Sequence, residues 1–212
     1  MWITVVENIG GRMPGFPDPG PCCASIRGMN VDLRITAHSE LSLRDLERLR
    51  TLFDHEYFGE YGPWDPEAPY GYSPAAVHIM AFQGEELIGH LGFQPRSIKV
   101  GGQRVTVAGV GGVLIVERAR GRGLGQLIMD HARAAMLKEP GVEYGYLGCR
   151  PAVVPFYEST GWQRIHALER HLSRLDPTTV IESAASPIFI CPIRRGVDEW
   201  PQGEIDLRGT PW

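Results

Sequence analysis

The segment "VLIVERARGRGLGQLIMDHARAAMLK", residues 113–138, constrains the fold more than any other. An apolar run of strand character meets three arginines and three glycines, and a pattern of helical spacing follows. A strand and a helix joined this closely normally pack through side chains, but Gly121, Gly123 and Gly125 have none. The glycines expose consecutive backbone N–H groups at a helix N-terminus. Those donors and the positive end of the helix dipole make a seat for an anion. Arg120 and Arg122 add charge that pairs with phosphate oxygens. The turn suits a pyrophosphate; the competing reading is a glycine turn that binds nothing. Two other phosphate motifs fail. A P-loop places Lys and Ser or Thr after its last glycine, where Gln126 and Leu127 stand. A dinucleotide fingerprint runs G-x-G-x-x-G, and these glycines run G-x-G-x-G.

The flanking patterns give a mixed α/β order, β-α-β-β-β-α-β-α-β-β. "VDLRITA" (31–37) alternates as a strand does, and Ser42 with Asp45 three residues on reads as a helix N-cap. Leu46, Leu49, Phe53 and Tyr57 then fall on one helical face. Residues 76–83 and 86–100 flank Gly84–Glu85 as a hairpin. Residues 103–116 form a further strand, or a pair, with "VGG" marking a bulge or a close backbone approach. The helix that starts at Gly123 ends at Lys138, before Pro140 and Gly141, and should bury Leu124, Leu127, Ile128, His131, Ala135 and Leu137. A strand over 143–149, a short helix over 152–161, and late strands over 162–172 and 186–193 complete the order. Residues 1–28 read as a Gly/Pro-rich leader and 29–212 as one domain; the tail after 193 shows little periodicity.

A chain of 212 residues, 43 % hydrophobic and 22 % charged, can bury a core without disulfides. Its net charge of −4 argues against nucleic acid and leaves room for a cationic partner. Cys22, Cys23, Cys149 and Cys191 form no C-x-x-C pair and no zinc spacing, which predicts no metal and a reducing, cytoplasmic setting. No apolar stretch reaches transmembrane length.

The pattern R-x-x-G-x-G at Arg120 to Gly125, after "GGVLIV" and before an amphipathic helix, resembles the acyl-CoA-binding motif of the GNAT N-acetyltransferase superfamily. "AVVPFYESTGWQRI" is similar to that family's late helix and strand, in family order and at family spacing. The resemblance implies a mixed, mostly antiparallel sheet with splayed central parallel strands and helices on both faces. It implies acetyl-CoA as cosubstrate. Backbone groups of Val113, Leu114 and Ile115 would pair with the pantetheine arm. Those of Arg120, Gly121, Arg122, Gly123, Leu124 and Gly125 would hold the pyrophosphate. The strand at Tyr146–Cys149, with Gly148, would splay away to open a slot for the thioester. Tyr157 would protonate the leaving thiolate, since a phenol is still protonated at neutral pH. Without the motif, Tyr157 reads as a core aromatic.

The acceptor is read from charge. Between Arg50 and Arg96 there is no Lys or Arg but there are seven acids, and six aromatics interleave over 57–72. A carboxylate-rich, aromatic-lined cleft suits a polycationic amine; a solvated acidic loop is the competing reading. "FGEYGPWD", "FYESTGW", "IFICPI" and a Trp-containing tail resemble the aminoglycoside 2'-N-acetyltransferases, and more distantly the nodulation N-acyltransferase that acylates a chito-oligosaccharide amine. That resemblance implies Glu60, Asp65, Glu182 and the carboxylate of Trp212 as substrate contacts, and leaves room for a homodimer. The aminoglycoside enzymes carry a Glu that acts as base through water where Gly111 stands, so the base is either only water or another group, with Glu60, Asp65, His55 and His90 as candidates. The expected function is acetyl transfer to an amine of an aminoglycoside-type sugar. The alternatives are acylation of a chito-oligosaccharide, polyamine or peptide N-terminus, and a module that binds acyl-CoA without turnover.

Overall fold

The computed structural model describes residues 23–26 and 28–212. Most of the expected leader lies outside the described residues. Its end, Cys23–Ile26, forms strand β1, which pairs antiparallel with β2 (Met29–Ala37). Helix α1 (Leu43–Tyr61) starts as expected: the Ser42 hydroxyl accepts from the Asp45 N–H at 3.1 Å, and the Asp45 carboxylate accepts from the Ser42 N–H at 3.2 Å. Strands β3 (Val77–Gln83) and β4 (Glu86–Val100) make the hairpin, and β5 (Gln103–Ile115) returns antiparallel to β4. Then come α2 (Leu124–Lys138), β6 (Tyr144–Gly148) and the short α3 (Val154–Ser159).

The remaining strands are β7 (Gln163–Ile165), β8 (Glu169–Leu172), β9 (Val180–Ser183), β10 (Ile188–Pro192) and β11 (Ile205–Asp206). Among the described residues the main path runs β1-β2-β3-β4-β5-β6-β10-β7, with β5 and β6 parallel at its centre. The expected strand over 162–172 is two strands. Its first half pairs with β10 and its second with β9 and β11, so the chain leaves one edge and joins another between them. The tail, which looked unpatterned, places β11 against β4 and buries Trp200, Ile205, Leu207 and Trp212.

Alternation along β3 assigns the two faces. Met80 and Phe82 pack with Leu49, Phe53 and Tyr57 of α1. Ile79 and Ala81 pack with Leu124, Ile128 and Met136 of α2. Helices therefore cover both faces. Leu137 is 52 % exposed rather than buried, because Ala132, Ala135 and Met136 supply that end of the α2 core face. Leu127 and His131 are only partly buried.

Candidate active site

Strand β5 has two halves. From Val107 to Gly109 it pairs with Tyr144 to Tyr146 of β6, and beyond Gly109 no β6 pairing continues. The two parallel strands splay where the resemblance implied. The cleft at that splay is lined by Gly109 to Val113 of β5, Gly148 of β6 and Tyr157 of α3. Phe53, Trp64, Tyr70 and Tyr72 wall the other side. Trp64 is seated by its own N–H, which donates to Asp54 of α1 at 2.7 Å, and its ring stacks on Phe53 at 5.4 Å.

The glycine turn sits at the C-terminal end of β5. Gly121 (φ 69°) and Gly123 (φ 92°) hold left-handed conformations that other residues rarely adopt. Gly123 is the N-cap of α2 and has no side chain to close the first helical turn. Gly125 serves packing instead, since a Cβ there would lie 2.8 Å from the Phe156 ring, and its absence lets α2 approach α3. Arg122 is exposed on the turn. Arg120 turns inward, its Nε donating to the Ile115 carbonyl at 2.9 Å and its guanidinium 3.7 Å from Glu56. Arg120 thus ties the turn to β5 and α1. Val113, Leu114 and Ile115 are buried, and Leu124 opens α2 facing the core.

Tyr157 is buried, with its ring 5.6 Å from Phe189 and 6.2 Å from Trp162. It is both a core aromatic and a cleft residue, so the two sequence readings of it are compatible. Cys149 also lies beside the splay, but burial pushes its thiol up to about 12, which keeps it protonated and unsuited as a nucleophile.

The four expected substrate contacts do not converge. Glu60 is exposed and accepts from the Tyr61 hydroxyl at 2.8 Å. Asp65 is exposed and accepts from the Glu67 N–H at 2.9 Å. Glu182 is on β9, 4.0 Å from Arg170. None of the three lines the cleft, and only Trp212 does. Its indole N–H donates to Gln94 at 3.1 Å, and Arg96 lies over its ring at 4.1 Å. Arg96 also donates to the carbonyls of Leu207 (3.2 Å) and Thr210 (2.8 Å), clamping the tail. A Cβ at Gly109 would overlap the Trp212 indole, and one at Gly111 would lie 2.5 Å from the Trp212 carbonyl carbon. Trp212 therefore fills the space a glutamate at 111 would need, which explains why glycine stands there.

Of the candidate bases, His55 is exposed and lies in a separate groove beside α1, whereas His90 lines the cleft. His78 lines it too, although it shows no ligand spacing in the sequence and is not among the expected bases. His78 Nδ1 and His90 Nε2 are 3.0 Å apart, and His90 Nδ1 is 2.7 Å from the Gly112 carbonyl. Further out, His38 Nδ1 is 3.1 Å from His78 Nε2, and His38 Nε2 is 3.3 Å from Glu67. Burial, and next the neighbouring His90 and His38, lower His78 to about 2. Burial lowers His90 to about 4, against a smaller opposing effect of its bond to Gly112.

Solved structures with this architecture include an acyl-CoA N-acyltransferase from Pseudomonas aeruginosa: TM-score 0.53, 20 % identity, 76 % of this chain and 99 % of that one. A GNAT family N-acetyltransferase from Escherichia coli, in complex with CoA, gives a TM-score of 0.54 at 14 % identity over 91 % of this chain and 93 % of that one. At those identities the likeness establishes the GNAT fold. In sequence the chain is 27 % identical over 198 residues to nodulation protein A of Bradyrhizobium sp. (strain NC92), covering 85 % of this chain and 91 % of that one. It is 26 % identical over 195 residues to nodulation protein A of Rhizobium tropici, covering 85 % and 97 %. A family model described as Nodulation protein A (NodA) matches residues 29–211. The chain is an acyltransferase, and it belongs to the nodulation protein A family.

Proposed function

We propose that the chain transfers an acyl group from an acyl-CoA thioester to the primary amine of a chito-oligosaccharide-type amino sugar. The observation that carries this reading is the end of β5–β6 pairing at Gly109/Tyr146, on a strand that leads into an α2 whose N-cap is a glycine. In this reading the first-turn N–H groups from Gly121 to Gly125, with Arg122, hold the pyrophosphate. The β5 edge over Val113 to Ile115 takes the pantetheine arm as an added strand. The thioester supplies an activated acyl carbon, open to direct attack by a neutral amine. Tyr157 gives its phenolic proton to the departing sulfur. Proton acceptance from the amine is left to water in the cleft, because Gly111 offers no carboxylate.

The acceptor class follows from the lining. Phe53, Trp64, Tyr70 and Tyr72 present ring faces and edges of the kind on which a sugar ring rests. The carboxylates that would grip a polycationic aminoglycoside stand outside. Family membership favours the same choice. An aminoglycoside acceptor is the second reading, carried by Trp212 at the cleft floor. Thiol release from acetyl-CoA and from longer acyl-CoA donors, with a partly deacetylated chitotetraose and with an aminoglycoside, separates the two. A mass gain on the chitotetraose amine supports the first reading. Release with the aminoglycoside alone supports the second, and no release with any amine overturns both.

A further inference from the structure

Three histidines far apart in sequence stand in one file between the surface and the cleft. Their links are Glu67 to His38, His38 to His78, His78 to His90, and His90 to the Gly112 carbonyl. We propose that His38, His78 and His90 are positioning residues: one polarised hydrogen-bond relay, anchored at the surface by Glu67, that holds the Gly112 carbonyl and with it the bulge of β5 lining the cleft.

The proton positions follow from the two ends. A carbonyl only accepts, so His90 must donate from Nδ1. A neutral His90 then has a bare Nε2, which accepts from His78 Nδ1–H. His78 in turn has a bare Nε2, which accepts from His38 Nδ1–H. Every inner ring is forced into the same tautomer, with its proton directed toward Gly112. Both ends of the file are acceptors, so filling all four links takes four protons, one more than three neutral imidazoles carry. When the fourth is bound, burial keeps it off His78 and His90, which are each 3 % exposed. The outer link, from His38 to Glu67 at 3.3 Å, is the one open to solvent.

This arrangement rules out a direct base role for the two inner rings. Both nitrogens of His90 and both of His78 are engaged within the file, so neither offers a lone pair to an amine. What the file does control is Gly112. That residue has φ 59°, and a Cβ on it would lie 3.1 Å from Phe53 and 3.4 Å from His90. The β4–β5 register shifts at this point, between His90 and Gly92. A trans peptide is planar, so with its C=O turned to His90 the following Val113 N–H is fixed in the opposite direction. A hydrogen bond to the carbonyl also polarises that N–H. Gly112 and Val113 both line the cleft, so the relay sets the backbone against which an acyl carbonyl would rest. The relay's existence is independent of the acyl-transfer reading, and only its role rests on it.

Long-range ¹⁵N–¹H NMR of the full chain at neutral pH tests the relay without any ligand. The expected result is protonated Nδ1 and bare Nε2 in both His78 and His90. A proton on Nε2 of His90, or an even mixture, overturns the proposal, and failure of the acyl-transfer reading would not alter that result. The role is tested with His78→Phe, which keeps a ring and cuts the file. The expected outcome is a kcat for acetyl transfer to deacetylated chitotetraose lowered roughly 10- to 100-fold, the cost of a misplaced reacting geometry, with acetyl-CoA affinity within about twofold. An unchanged kcat, or an equal loss of coenzyme affinity, overturns the positioning role. Glu67→Gln, at a side chain 78 % exposed, is the variant to use if His78→Phe does not fold. It keeps an acceptor oxygen for His38, so it should preserve the His90 tautomer, and loss of that tautomer would contradict the relay's polarity.

Discussion

Two glycine clusters stand close in sequence, one within β5 at the cleft and one in the turn before α2, and they serve opposite ends. In the turn, among the described residues, a Cβ on Gly121 would meet nothing within 4 Å, and one on Gly123 would meet only Ile26 at 3.4 Å. Their absent side chains, together with left-handed backbone, leave room for something from outside. In β5, the space above Gly109 and Gly111 is already taken by Trp212, and that above Gly112 by Phe53 and His90. There the absent side chains admit the protein's own tail and core. A glycine run in a sequence reads the same in both cases; what it is bare for depends on elements up to about a hundred residues away.

The difference can be broken experimentally. The largest effect belongs to the side filled by protein. His78 and His90 are held neutral well below the ordinary value near 6.5, so as pH falls the unfolded chain takes up protons that the folded chain does not. Stability contributed by the two rings is complete above about pH 6.5 and is lost as pH falls toward about 4, at roughly 1.4 kcal/mol per ring and pH unit. Urea titrations across that range check the slope, and a flat profile would remove the buried neutral pair. Next, Trp212→Ala empties the space above Gly109 and strands the Arg96 clamp, and should cost about 3–5 kcal/mol of unfolding free energy. A loss below about 1 kcal/mol would show that the tail is not part of the core.

In the cleft, Tyr157→Phe should lower kcat by about 100-fold or more while acetyl-CoA affinity holds. On the open side, Gly123→Val forces a β-branched residue into left-handed backbone at the helix N-cap. That should weaken acetyl-CoA binding about tenfold or more, read by calorimetry, with a smaller loss in Tm than Trp212→Ala. The smallest effect is a control that touches neither cluster: Ser42→Ala removes the α1 cap and should cost about 1 kcal/mol with coenzyme affinity unchanged.

Much of the fold was legible because its signals are local. The Ser42–Asp45 cap, the Gly84–Glu85 hairpin and the strand–turn–helix at 113–138 each lie within one short window. The walls of the cleft were not. Residues after 193 carry no period because Trp200, Ile205, Leu207 and Trp212 each answer to a different set of neighbours: Tyr144 and Tyr146, then β4 and β8, then the Arg170 carbonyl, then Arg96. The acids at 60, 65 and 182, contacts that the resemblance implied, are exposed and stand outside the cleft lining. The relay was hidden by one irregularity. Counting back from the Gly84–Glu85 turn pairs His90 with Ile79, which puts His78 on the opposite face. The register shift between Ala81 and Phe82 pairs His90 with Met80 instead, and so brings His78 and His90 onto the same face.

The turn at Gly121 to Gly125 as a seat for the coenzyme pyrophosphate is the claim from which the rest is built, and calorimetric titration of acetyl-CoA into the wild-type chain and Gly123→Val tests it most directly. The expected result is saturable binding by the wild type and a much weaker association with the variant, which should remain folded. Equal affinity in the two, or no association with the wild type, would contradict it.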